Sequence, residues 1–385
     1  MNNGSMHGNH ISIGGRGGQF FHIDWQLASQ SIANNSSTIN WQAKFHFNLA
    51  DAQLDGGSAN LSGERWSNGG RVRNYGGSFT TRSVTLASGS FTIGHNADGT
   101  RTLTVSGGVT AYQSGRSAGS QNFNLPTIPR NSQVTSPSSA TLGSPIQINT
   151  NRKSSSFTHT ITLRMNNGSG TILQTINSVG ASTTWTPSPA QITQMQNAIP
   201  NTNSLTLHIT QRNNQVGQNS TTTTRLNLTD ANPVFNDFTY KDSSSVATIT
   251  GDDQVLVKGK STLEVTVSAG NRMTAQKGAS ENYYSFAYDG TSNNVSYSVS
   301  AITSSFTNID SVGSRAILVT AYDSRTNNTR VAKNVEVYDY VEPNIEIEIS
   351  REDNFGANVT IKTGGTFDLL PIGGVNKKSL TASSL

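Results

Sequence analysis

The sequence predicts an all-β chain of tandem antiparallel β-sandwich domains, and three observations predict it. The first is composition. Of 385 residues only 33% are hydrophobic and 13% charged, and 36 are glycine. Such usage excludes a coiled coil or an Ala/Leu/Glu/Lys-rich helical protein. A net charge of +4 is too small for the low-hydrophobicity, high-charge combination of disordered chains. The second observation is period: Val, Ile, Phe and Leu alternate with Thr and Ser, as half-buried strands require. The third is punctuation, because Asn, Gly and Asp clusters divide the alternating runs. The length exceeds what one core fills and implies three or so domains.

Residues 1–18 are rich in Asn, Gly and His, contain no apolar core segment, and read as a flexible N-terminal arm without a secretion signal. A first β-sandwich follows over 19–127. Phe21, Ile23, Trp25 and Leu27 alternate with polar residues, as do Ile39, Trp41, Ala43, Phe45 and Phe47, with Asn34 and Asn35 turning the chain between them. A second hairpin runs from Val84, Leu86, Phe91 and Ile93 through Asn96-Ala97-Asp98-Gly99 to Leu103, Val105 and Val109. Residues 55–80, Gly-rich and aperiodic, are expected to form an exposed loop. A Pro- and Ser-rich linker then leads to a second sandwich over 140–231.

In that second sandwich Phe157, His159, Ile161, Leu163 and Met165 alternate strictly. It also holds the one good helix candidate. Ser188 can cap it, Pro189 suits its first position, Ile192, Met195 and Ile199 share a face, and Pro200 stops it. A third sandwich covers 232–341, with strands marked by Leu263, Val265 and Val267 and by Ile317, Val319 and Ala321. Residues 342–385 begin a further β domain that is too short to bury a core alone, so the chain reads as the front part of a longer polypeptide. The first domain is expected to be jelly-roll-like and the later ones immunoglobulin-like, because their strand spacing over some ninety to a hundred residues fits that sandwich.

The absence of cysteine excludes disulfides, Cys-ligated metals and cysteine nucleophiles. No apolar run reaches membrane-spanning length. The basic excess is dispersed: residues 1–127 carry a net +3, residues 128–231 a net +5 and the remainder a net −4. Without a Lys/Arg run, this pattern describes solvated strand faces and not a nucleic-acid surface.

Four motifs are weighed. Gly115-Arg116-Ser117-Ala118-Gly119 matches the serine-hydrolase elbow, which needs a strand before it and a helix after it; Phe123 and Leu125 instead continue as strand, so a turn is expected. Gly259-Lys260-Ser261 lacks the earlier glycine and the helix of a phosphate loop. Asp252, Asp253 and Asp323 are too few in any one loop for calcium, and a polar turn is the simpler reading. The histidines show no metal-ligand spacing, so no cofactor and no metal site is expected. The segment 65–77 is different. Trp66, Arg71, Arg73 and Tyr75 stand among glycines outside any period. Aromatic faces stack on sugar rings, and Arg donates to hydroxyls and phosphates. These four are the glycan-binding candidates; the competing reading makes Trp66 and Tyr75 plugs at the end of the sandwich.

Several segments together resemble a family. They are GSFTIGHNADG (89–99), INTNRKSSSFTHTI (148–161), TWTP (184–187), NPVF (232–235), GKST (259–262) and TAYDSR (320–325). In this order they resemble the minor structural proteins of siphophages of Gram-positive bacteria such as streptococci, over roughly residues 20–370. The resemblance implies a virion protein of the tail tip or tail fibre that contributes to host attachment. The implied partners are other phage tail proteins and host cell-wall polysaccharide or teichoic acid, with homo-oligomerisation left open. It carries over no catalytic residue, and no enzymatic activity is expected. The alternative is the non-catalytic front part of a glycan-degrading tail enzyme whose active domain lies beyond residue 385. Glycoside hydrolysis needs a positioned carboxylate pair, and residues 1–231 hold only six scattered acids.

Overall fold

The structure, a computed structural model, describes residues 1–48, 52–68, 73–75, 82–351 and 356–379. Among the described residues the regular structure is nearly all strand, and the chain divides into two compact units. One comprises residues 1–138, 146–185 and 207–224; the other comprises 139–145, 186–206 and 225–385. The division therefore runs through the stretch 140–231.

The first unit opens with ten strands: β1 (Asn3–His7), β2 (Ile11–Ile13), β3 (Arg16–Ser31), β4 (Ser36–Phe47), β5 (Ala52–Leu61), β6 (Glu64–Asn68), β7 (Arg73–Tyr75), β8 (Arg82–Gly94), β9 (Thr102–Ala111) and β10 (Gly115–Asn124). One sheet has the order β1-β3-β4-β8, with β2 added to β3. The other has the order β10-β9-β5-β6, with β7 added to β5. Alternation decides which side of each strand is inside. Phe21, Ile23, Trp25, Ile39, Trp41 and Phe45 from the first sheet meet Leu61, Leu103, Val105 and Phe123 from the second in one buried core. Asn35 takes positive φ in the β3–β4 turn, and Gly99 takes φ +84° in the β8–β9 connection. The glycine is required twice over there, since a Cβ would lie 1.9 Å from the Ile128 carbonyl oxygen.

Two expectations are corrected in this sandwich. Residues 1–18 are not a flexible arm. β1 pairs with β3 from Asn3↔Gln26 to His7↔His22, and Met6 is fully buried, so this segment supplies an edge of the first sheet. The stretch 55–80 is not wholly loop either. β5 extends to Leu61 and turns back as β6, pairing Leu61 with Glu64. Its glycines are there for close packing: a Cβ on Gly57 would meet the Trp66 ring, and one on Gly107 of the neighbouring β9 would lie 2.5 Å from the Ser58 carbonyl oxygen. Glycine that admits a neighbouring backbone has no sequence period, which is why it reads as loop.

Seven strands and a helix follow: β11 (Ser139–Thr141), β12 (Ile146–Asn149), β13 (His159–Met165), β14 (Ile172–Val179), β15 (Ser182–Trp185), α1 (Pro189–Asn197), β16 (Ser204–Asn213) and β17 (Asn219–Asn227). Antiparallel pairs join β12 to β15, β13 to β14 and β13 to β16, whereas β11 runs parallel to β17. α1 begins as the sequence predicts. The Ser188 hydroxyl accepts from the Gln191 amide at 3.3 Å, the Gln191 side chain accepts from the Ser188 amide at 2.8 Å, and Pro189 occupies the first turn. Met195 and Ile199 are buried.

The second unit contains β18 (Thr239–Asp242), α2 (Val246–Thr250), β19 (Val255–Val257), β20 (Leu263–Val267), β21 (Glu281–Tyr288), β22 (Thr291–Ser296), β23 (Ile302–Phe306), β24 (Gly313–Asp323) and β25 (Asn328–Tyr338). A sheet of order β18-β20-β23 faces one of order β19-β25-β24-β21-β22 across a core that includes Phe238, Val265, Tyr284, Phe286, Ile317 and Val337. α2 is a second helix that the sequence reading lacks. Its five residues are too few for a helical period, and Gly251 ends it at φ +72°. Two hairpins follow: β26 (Asn344–Arg351) with β27 (Val359–Thr366), and β28 (Pro371–Ile372) with β29 (Val375–Asn376).

One arginine ties parts of this unit together. In the β24–β25 turn, Arg325 donates to four carbonyl oxygens: Ile199 at 2.8 Å, Gln196 at 3.1 Å, Gln276 at 3.0 Å and Lys277 at 2.7 Å. Two of these carbonyls belong to the C-terminal end of α1 and its exit, where the helix dipole favours a cation. Ser324 adds a bond to the Pro200 carbonyl at 2.6 Å, and Asn203 pairs with Asn327 at 2.8 Å.

Candidate functional site

Three of the four glycan-binding candidates lie on strands paired with β5. Trp66, on β6, stands opposite Ala59, a core residue, so its ring faces inward at the edge of the second sheet. It is half-buried, and its ring lies over Gly57. Arg73 and Tyr75 are placed by their backbone in β7, opposite Leu54 and Ala52. Arg71 lies outside the described residues. One face of the Trp66 indole is thus committed to the core.

The remaining motifs have structural partners. The Ser117 hydroxyl, fully buried, accepts from the Phe21 amide at 2.9 Å and donates to the Asn9 carbonyl at 2.6 Å. It ties β3, β10 and the loop after β1 at one corner of the sandwich, and no helix follows it. In Gly259-Lys260-Ser261, the Ser261 hydroxyl accepts from the Val257 amide at 2.7 Å and donates to the buried Asp242 carboxylate at 2.6 Å. Asp242 also accepts from the Ser244 hydroxyl and from the Ser244 and Thr262 amides, so this carboxylate is held by hydrogen bonds alone. Asp252 and Asp253 accept from Gln254, and Asp323 accepts from the Arg325 and Asn327 amides. Among the described residues no group of three or more His, Cys, Asp or Glu side chains could hold a metal ion. No helix there is long and apolar enough to cross a membrane.

A concave surface does exist, on the outward face of the β1-β3-β4-β8 sheet. Gly4, Trp25, Trp41 and Gly89 form one row across the four strands, with the indoles on the core side. A Cβ on Gly4 would sit 2.8 Å from the Trp25 indole nitrogen, and one on Gly89 would sit 2.9 Å from that of Trp41; each indole therefore packs against a neighbouring strand where only glycine leaves room. Side chains on either side of this row must point outward. They form two more rows, Asn3–Gln26–Asn40 and Ser5–Asp24–Gln42, which line a trough of about 820 Å³. Register shifts at Leu27/Ser29 and at Ala43/Lys44 bracket these rows. Bulges of this kind bend strands and raise their twist, which shapes the trough.

The electrostatics of the trough are nearly balanced. Asp24 is bonded by the Ser5 hydroxyl and paired to Lys44 at 2.9 Å. Partial burial pushes the Asp24 pKa up, but the bonds from Ser5 and Lys44, with His22 and Lys44 as charges, outweigh it and hold the carboxyl below its usual range. The side-chain amides of Asn3, Gln26, Asn40 and Gln42 bond no other described residue. Beyond Asp24 the same face carries His7, His10, His22 and His46 around Phe20, with ring centroids 4.8 to 5.5 Å from Phe20. Burial pushes the His22 pKa down against the pull of Asp24, and His7, Lys44 and His46 push in the same direction as burial.

Residues 19–383 match the family described as Siphovirus protein of unknown function (DUF859). The chain belongs to this family. No curated protein matches this siphovirus protein. Among solved structures, it is similar to the fibronectin(III)-like modules of Clostridium thermocellum CbhA, at 14% identity and a TM-score of 0.22, covering 54% of this chain and 95% of that one. It is also similar to a tetra-tandem repeat in the extending region of a large adhesion protein, at 10% identity and a TM-score of 0.32, covering 87% and 92%. A third likeness is to a 1.5-MDa bacterial ice-binding adhesin, at 14% identity and a TM-score of 0.28, covering 81% and 93%. Scores this low support no argument about function.

The sequence reading of the siphovirus protein missed both the trough and the imidazole patch. Asn3, Gln26, Asn40 and Gln42 occupy the polar positions of alternating strands, which any solvent-facing strand fills. Only the strand register, which no local pattern fixes, brings them into one place.

Proposed function

We propose that the protein is a virion structural protein of the tail tip, or of a fibre attached to it, that contributes to host attachment and has no enzymatic activity. The observation that carries this reading is the siphovirus family match over residues 19–383, on a chain whose described residues are strands in successive sandwiches. Such sandwiches give a chain that holds binding faces away from an anchor. The proposed modules are the sandwiches at 19–127, 140–231 and 232–341, and the partners are other tail proteins and the host cell wall. Trp66, Arg71, Arg73 and Tyr75 remain proposed contacts to cell-wall polysaccharide or teichoic acid, with Trp66 offering one ring face only.

Immunoelectron microscopy with antibody against this chain tests the location, and adsorption of particles preincubated with that antibody tests the role. Label at the tail end with adsorption reduced at least tenfold is the expected outcome. Label on the capsid, or none on intact particles, would remove the reading.

A further inference from the structure

We infer that the trough on the outward face of the β1-β3-β4-β8 sheet is a binding site for a neutral, hydroxyl-rich polysaccharide, contacted by Asn3, Ser5, Asp24, Gln26, Asn40 and Gln42. The inference rests on the attachment reading and names the ligand class and the surface that reading lacks. It concerns a different sheet from the one that carries Trp66.

The chemistry of the lining sets the ligand. A carboxamide offers one acceptor and two donors side by side, a combination that matches hydroxyls, which both donate and accept. Four such amides stand on three adjacent strands, none of them bonded to another described residue. Neighbouring strands are about 4.8 Å apart, so successive amides are spaced on the scale of one sugar ring. Asp24 adds an acceptor whose charge Lys44 already balances. A phosphate polymer would need unpaired cations here, and Lys44 is held by Asp24. An apolar peptide would leave the amides without partners. A neutral glycan satisfies both conditions.

The floor is also set in advance. The Trp25 and Trp41 indoles are wedged beneath Gly4 and Gly89, which leaves the backbone under the ligand little freedom, and preorganisation lowers the ordering cost of binding. At one end the rows run into Phe20, whose ring is packed among the imidazoles of His7, His10, His22 and His46.

The test uses the full chain with Gln26, Asn40 and Gln42 replaced singly and together by Ala. All three are exposed, so the melting temperature should stay unchanged. Binding is measured against soluble dextran, galactan and β-glucan, and against glycerol-phosphate teichoic acid. The intact protein should bind at least one neutral polysaccharide, and the triple substitution should leave any teichoic-acid binding unchanged. Each single variant should weaken the polysaccharide binding about tenfold and the triple variant about a hundredfold.

Failure to bind any of the three neutral polymers, equal binding by the triple variant, or a parallel loss of teichoic-acid binding in the triple variant would overturn the inference. Particles carrying the triple variant separate it from the attachment reading. Lost polysaccharide binding with undiminished adsorption would keep the site and remove the attachment role. Undiminished polysaccharide binding would remove the site whatever adsorption does.

Discussion

The hairpins β3–β4 and β26–β27 are written with the same alternation of apolar and polar residues. In β3–β4, Phe21, Ile23, Ile39 and Phe45 are fully buried beneath the sheet that contains β5, β9 and β10. In β26–β27, Ile345, Ile347 and Ile349 remain 59%, 62% and 66% exposed, and Ile361, paired across from Ile349, is equally open. Both hairpins are antiparallel and paired along nearly their whole length, with one register shift at Leu27/Ser29 in β3–β4, so backbone pairing does not account for the difference in burial. What distinguishes them is an opposing layer. Alternation specifies a strand with an apolar side; only a second sheet turns that side into a core.

The sharpest way to break the comparison is to truncate one side chain in each hairpin. Phe45→Ala is expected to destabilise the first sandwich by about 3–5 kcal/mol in denaturant unfolding, because it leaves a cavity under two sheets. Ile347→Ala should fall within about 0.5 kcal/mol of the parent. A loss above 2 kcal/mol at Ile347 would mean that the hairpin is covered in solution. Next in size is Gly99→Val. It combines left-handed φ with a Cβ forced onto the Ile128 carbonyl, and a loss of about 3 kcal/mol is expected. A variant as stable as the parent would show that the β8–β9 connection can rearrange.

Trp66→Ala falls between core and surface. Half-burial against the first core predicts a loss of about 2 kcal/mol, below that of a fully buried aromatic. An unchanged melting temperature with lost teichoic-acid binding would place Trp66 in a binding role. The smallest effect concerns pH. Because the folded-state pKa of His22 is lowered, both states are neutral above the unfolded value of about 6.5. Below it the unfolded chain takes up a proton that the folded chain resists, so stability falls as pH drops. The lowered Asp24 pKa contributes stability that is lost only at still lower pH, as the folded carboxyl protonates. Melting temperature followed from pH 8 to pH 5 should decline, and His22→Gln should flatten the upper part of that decline. Identical profiles would show that His22 is protonated without strain in the fold.

Much of the fold was legible because period and punctuation are local. Phe21 to Leu27, Ile39 to Phe47, the Asn35 turn, Gly99 and the Ser188 cap all sit where their neighbours in sequence put them. The failures are non-local. Met6 marks β1 as a strand only once β3 is beside it, and Gly57 and Gly107 read as loop until the backbones they admit are in place. Nothing in the sequence around Arg325 names carbonyls 48 to 129 positions away. The candidate site was less legible still. The arginine- and aromatic-rich segment drew attention because its composition departs from its surroundings. The amides of the trough are what every polar strand face contains, and only the register gathers them.

The Arg325 cluster has a mechanical consequence. Four carbonyls converge on one rigid guanidinium, so a tug that separates the end of α1 from the β24–β25 turn strains the bonds to Gln196 and Ile199 together, while those to Gln276 and Lys277 hold the guanidinium in place. Such a joint barely yields until it gives way at once. A chain pulled across this joint would stay stiff there under steady tension, and its slack would have to come from elsewhere along its length.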